Sequence, residues 1–160
     1  MKIKPSMTRL VAWSECAEFQ KENRQEMIDM YDKATIFLNS VRWYGSVQES
    51  YMGMFYPGIV AVFLFKIVPK IEFDEWIWVI VGDLPSAYIA SDDCQNPASA
   101  LDGYIGEMEE WIKAVEEGRS IKDLIPVNVP PVKASADALK SRMKFLDERI
   151  LCNYEEDLKQ

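Results

Sequence analysis

EWIWVIVGDLPSAYI, residues 75–89, holds the reading on which the fold turns. Its first half contains no polar residue after Glu75, so a strand here has no face meant for water, whereas an antiparallel strand with one wet face alternates polar and apolar. Trp76 and Trp78 fall on one side of such a strand and Ile77 and Val79 on the other. Gly-Asp-Leu-Pro-Ser then interrupts the run with turn chemistry before apolar residues resume. IVAVFLF, from residue 59, is apolar in the same uniform way. Both strands must therefore be shielded on two faces, and the candidates are an N-terminal helix, C-terminal helices or another molecule.

Working outward, the pattern predicts an α+β domain spanning residues 1–160. Its antiparallel sheet has about four strands, at roughly 46–55, 59–68, 75–81 and 86–90. Tyr56-Pro57-Gly58-Ile59 suits a type II turn between the first two, with Pro second and Gly third. Upstream, apolar positions at three- and four-residue spacings predict a long helix over about 14–42, with Ser14 as its N-cap and a weak polar stretch at 20–26. Downstream, Asn96-Pro97 opens a helix over about 97–117 that Gly118 ends. Gly103 and Gly106 inside it each cost about 1 kcal/mol relative to Ala, which calls for a close neighbour in return. Ser120 and Asp123 suit the capping of one short turn. Pro126, Pro130 and Pro131 enforce an extended linker, and a last helix is expected over about 134–152. Glu155, Glu156 and Asp157 read as a frayed, solvated tail.

Composition narrows the chemistry. The chain has 160 residues, no histidine and a net charge of −8. Without imidazole it cannot build a Ser-His-Asp or Cys-His nucleophile or a His-ligated metal site. The acidic balance disfavours nucleic acid, whose phosphates are neutralised by Lys and Arg. The longest nearly uninterrupted apolar run, from residue 59 to 68, already contains Lys66 and is too short for a bilayer. No secretory signal is evident, so a cytoplasmic location with an unprocessed N-terminus is expected. Cys16, Cys94 and Cys152 lack any paired spacing and read as reduced, buried side chains.

Several clusters could carry function. Asp83, Asp92 and Asp93 could hold a divalent cation, but match no EF-hand spacing and suit turns and a helix N-terminus. Glu107, Glu109, Glu110, Glu116 and Glu117 fall on the polar side of their helix, as a solvated face does. The strongest candidate is the first hairpin, where Trp43, Tyr44, Tyr51, Phe55 and Tyr56 crowd together beyond what one face of an edge strand buries.

VGDLPSAYI (81–89), NPASALDGYIGEMEEWIKAVEEG (96–118), LIPVNVPP (124–131) and ALKSRMKFLDERIL (138–151) together resemble an uncharacterised family of bacterial α+β proteins over about residues 75–152. In type, a small acidic α+β chain without catalytic histidine is also similar to the immunity proteins that bacteria pair with secreted or contact-delivered toxins. That likeness implies a protein-binding role with no cofactor and no metal, in which an acidic and aromatic surface occludes the basic cleft of a toxin. The expected contacts are Tyr44, Glu49, Tyr51, Tyr56, Asp92 and Asp93. The alternatives are a homodimer pairing through its apolar strands, and a carboxylate-dependent small-ligand binder or enzyme using Asp83, Asp93 or a Glu. Neither nucleic acid nor membrane is expected as a partner.

Overall fold

The computed structural model describes residues 5–16, 22–41, 44–71, 74–92 and 94–160. It is α+β, with an antiparallel meander whose spatial order follows the sequence. The short strand β1 (Val11–Ala12) is followed by helix α1 (Arg24–Asn39). Then come β2 (Ser46–Tyr56), β3 (Val60–Val68), β4 (Trp76–Gly82) and β5 (Ala87–Ala90). Helix α2 (Pro97–Glu116), helix α3 (Lys133–Phe145) and a terminal turn of helix α4 (Glu155–Leu158) complete the chain. Among the described residues no helix is long and apolar enough to cross a membrane.

The uniformly apolar strands lie in the middle of the sheet, and the chain itself covers both their faces. Every residue of β4 is buried, and β3 exposes only Lys66 in part and Val68. Met27, Met30, Ala34 and Leu38 of α1, at helical spacing, lie over Phe63, Phe65, Ile67, Ile77, Val79 and Val81. A helix of this length is marginal alone in water, so this packing sustains it. On the opposite face, α2 brings Leu101, Tyr104, Ile105, Met108 and Trp111 over Val62, Leu64, Trp76, Trp78 and Ile80. Helix α3 packs chiefly on the outside of α2, where Ala136, Leu139 and Met143 are buried.

Local chemistry sets the element ends. Ile59 N–H donates to Tyr56 O at 3.0 Å and Gly58 takes φ +75°, the turn expected of Pro57-Gly58. At the start of α2, the Asn96 side chain accepts from Ser99 N–H at 2.9 Å while Ser99 Oγ accepts from Asn96 N–H at 3.1 Å. This reciprocal cap satisfies two otherwise unpaired donors.

The N-terminal third departs from expectation. Ser14 does not cap a helix: Val11 and Ala12 pair with Met52 and Tyr51 as a fifth strand, and Trp13–Glu15 form a 3₁₀ turn. The Trp13 ring stacks on Tyr31 with centroids 4.0 Å apart, which fixes this turn against α1. Of the long helix expected over 14–42, Arg24–Asn39 is helical and Cys16 holds a helical position after the 3₁₀ turn, while residues 17–21 lie outside the described residues. Strand β2 is consequently paired on its outer edge at Tyr51 and Met52. It bulges between Met52 and Met54, and Gly53 allows this because a Cβ there would lie 2.5 Å from Pro97 Cγ.

The C-terminal helix also ends earlier than expected. After α3 the chain makes a wide π turn over Leu146–Ile150 and a 3₁₀ turn over Leu151–Tyr154. The tail is not frayed as a whole. Asp157 is buried because Arg9 grips its carboxylate at 3.1 and 3.2 Å and Asn96 Nδ2 donates to its carbonyl at 2.9 Å. The glycines of α2 divide. Gly103 faces Cys94 Sγ, 3.3 Å from where a Cβ would stand, but Gly106 has nothing within 4 Å, so no close neighbour accounts for it. Cys16 and Cys94 are buried as expected, and Cys152 is exposed on the last 3₁₀ turn. Burial pushes the Cys16 thiol up to about 11, which keeps it protonated and unreactive at neutral pH.

Candidate functional site

The residues expected to form an acidic and aromatic surface are spread over the fold. Tyr44 packs with Val47 and Phe55 into the core on the α1 face, while Tyr51 and Tyr56 pack into the core on the α2 face. Tyr56 OH shares a hydrogen bond of 2.8 Å with Tyr154 OH, and burial pushes the Tyr154 phenol up. Tyr51 donates a short hydrogen bond to Glu49, and this bond raises its pKa. Glu49 in turn forms a chain with Lys66 and Glu75, at 3.5 and 3.4 Å. Lys66 also lies 5.7 Å from the centroid of the Trp76 ring. Glu49 and Tyr51 therefore share one neighbourhood. Asp92 is exposed beyond β5, at the far edge of the sheet, and Asp93, with Trp43, lies outside the described residues. Two cores absorb the aromatics that an edge strand could not.

The connector within residues 75–89 proves more engaged than a simple turn. Gly82 adopts φ +148°, and Asp83 N–H donates to Ile59 O at 3.0 Å, tying the connector to the first hairpin. Three helices grip the next residues. Lys33 of α1 donates to Gly82 O at 2.7 Å, and Tyr104 of α2 donates to Pro85 O at 2.6 Å. From α3, Arg142 donates to Asp83 O at 2.9 Å and pairs with its carboxylate at 2.7 Å. Burial pushes the Tyr104 phenol up, so it stays a neutral donor. Asp83 is exposed and ion-paired, and no group of three metal-ligating side chains occurs among the described residues.

Beside this connector opens a cleft of about 1260 Å³. One wall is the exposed side of α1, with Lys33, Ile36 and Phe37, and another is α3, with Ala134, Ala138 and Leu139. Leu84 and Pro85 of the connector, Trp111 of α2, and Ile125, Val127 and Val129 of the linker complete the lining. Its charged residues are Lys33, Asp83 and Arg142, two cations against one carboxylate, in a chain of net charge −8. Exposed apolar side chains gather here. Ile36, 70% exposed, and Val129 line the cleft, and Val132 follows in the same linker. Phe145, also exposed, lines an adjoining hollow of about 250 Å³.

Trp111 carries the unusual polar atom. It is 1% exposed, and its Nε1–H is buried without an acceptor among the described residues, while the equally buried Trp78 donates to Cys94 O at 3.0 Å. An unmet buried donor costs about 1–3 kcal/mol, which a phenyl ring would relieve. Trp78→Phe should therefore destabilise the protein by about 1 kcal/mol more than Trp111→Phe, read from denaturant midpoints at equal m-values. Equal losses would mean that the Trp111 N–H is satisfied.

The cleft was hard to find in sequence, since five separate segments build it. Two mild signals pointed there. Ile36 lies off the apolar stripe of α1, and the linker IPVNVPPV is too apolar for a solvated connection. Comparison with family models, with curated proteins and with solved structures finds no match to this chain.

Proposed function

We propose that this chain is a protein-binding domain that takes a segment of another protein into the cleft beside the 82–85 connector. The observation that carries this reading is the exposure of Ile36 and Val129 in one cleft, with exposed Phe145 lining the hollow beside it. Exposed apolar surface in water is unfavourable, and its concentration at a concave site marks an interaction surface rather than scattered solvent contact. The volume of about 1260 Å³ exceeds the roughly 300–1,000 Å³ of small-molecule pockets. It accommodates roughly two to three turns of a helix about 10–12 Å across.

Neutralisation of a basic toxin, which the net charge of −8 suggests, would need an acidic docking surface, whereas the lining of this cleft carries two cations against one carboxylate. The contacts expected for neutralisation, Tyr44, Glu49, Tyr51, Tyr56 and Asp92, lie on two sheet faces and a far edge, so the cleft is the better-supported place for docking.

A displayed library of helical peptides, selected on the purified protein, tests the reading. Enriched peptides should bind wild type and lose at least about tenfold in affinity on Ile36→Glu or Val129→Glu, exposed positions where a charge leaves the fold intact. Glu49→Lys and Tyr51→Ala should leave their binding unchanged. Failure to enrich any peptide, or binding lost at the hairpin and kept at the cleft, would overturn it. A dimer by light scattering that Ile36→Glu returns to monomer would instead assign the cleft to a second copy of the chain.

A further inference from the structure

Resting on that reading, we infer that the cleft selects an amphipathic helix bearing a carboxylate side chain on its apolar face, which pairs with Lys33. Lys33 lines the cleft, and its ammonium donates to Gly82 O at 2.7 Å, with no carboxylate partner among the described residues. An ammonium has three donors, so one backbone carbonyl leaves its charge and two N–H groups unmatched. The other lining charges, Arg142 and Asp83, already satisfy each other. Net charge along the lining is thus positive in a chain that is strongly negative overall.

Desolvation turns this arrangement into specificity. An apolar helix laid in the cleft strips water from Lys33, and a buried cation without a counter-charge is strongly disfavoured. A Glu on the incoming face supplies the counter-charge, a Gln supplies a weaker acceptor, and a Lys adds repulsion. The ranking rests as much on penalising the wrong partners as on rewarding the right one.

Three amphipathic helical peptides of about a dozen residues, capped at both ends and differing only in Glu, Gln or Lys at the centre of the apolar face, provide the probe. Fluorescence anisotropy on the full chain at physiological salt should rank them Glu, Gln, Lys, with at least about tenfold between Glu and Lys. Lys33→Glu should reverse the order of Glu and Lys. Lys33→Gln, which keeps a donor for Gly82 O should the charge reversal disturb the fold, should bring the Glu and Gln peptides to equal affinity. An unchanged ranking in both variants, or equal affinities for wild type, overturns the inference. If the three peptides bind equally and all lose affinity on Ile36→Glu, the cleft stands and its acid preference falls. If none binds, or Ile36→Glu changes nothing, the docking reading falls with it.

Discussion

Gly82→Ala is expected to lower the unfolding free energy by about 3 kcal/mol or more, because two independent penalties meet at one position. At φ +148° a side chain is strained whatever space surrounds it. Space is also absent: a Cβ would collide with Ile59 O and stand 2.8 Å from Val60 Cα. Those atoms are backbone held in the ladder, where Val60 pairs with Gly82, so they cannot swing aside as a side-chain tip would. Any shift would also disturb the grips of Lys33 and Arg142, since both bond to carbonyls of this connector. Gly106→Ala is the control. Gly106 lies inside α2 with nothing within 4 Å, so the same methyl group should add about 0.5–1 kcal/mol of stability. Denaturant midpoints separate the two, and small effects of equal sign at both positions would contradict the strained geometry of the connector.

Removing residues 151–160 should cost about 4 kcal/mol, although Glu155, Glu156 and Asp157 among them read in sequence as a frayed tail. Leu151 is 2% exposed, and losing such a side chain from a core costs about 1.5–3 kcal/mol. Deletion also strands partners elsewhere. Tyr56 loses Tyr154, Asn96 Nδ2 loses the carbonyl of Asp157, and Arg9 loses its carboxylate. The Asn96 loss counts most of these, since that residue is buried and its side chain caps α2, and each unmet buried group adds about 1–3 kcal/mol. The Arg9 pair counts least because Arg9 is mostly exposed, where screening leaves little net gain. A frayed tail would give a change within about 0.5 kcal/mol, and thermal or denaturant unfolding distinguishes the two outcomes.

These two regions show where sequence reading succeeds and where it stops. The middle strands were legible because periodicity is local: WIWVIV and IVAVFLF carry no polar alternation, and both are buried on two faces. Helix α2 was legible for the same reason, its start marked by Asn96-Pro97 and its end by Gly118. The departures depend on partners distant in sequence. Val11–Ala12 is a strand only because Met52 and Tyr51 lie beside it. Asp157 is buried only because Arg9, 148 residues away, and Asn96, 61 residues away, converge on it. The hairpin aromatics misled because Tyr44 and Tyr51 look alike in sequence yet enter opposite cores. The cleft was least legible, being a space between segments rather than a property of any one.

Whether the cleft or the hairpin is the working surface can be read directly from backbone amide chemical shifts as the Glu-bearing peptide is titrated into isotope-labelled protein. Docking in the cleft predicts perturbations concentrated at Lys33, Ile36, Leu84, Val129 and Arg142, with Tyr44, Glu49, Tyr51 and Asp92 unmoved. Perturbations centred on Glu49 and Tyr51, with the cleft residues unmoved, would contradict it.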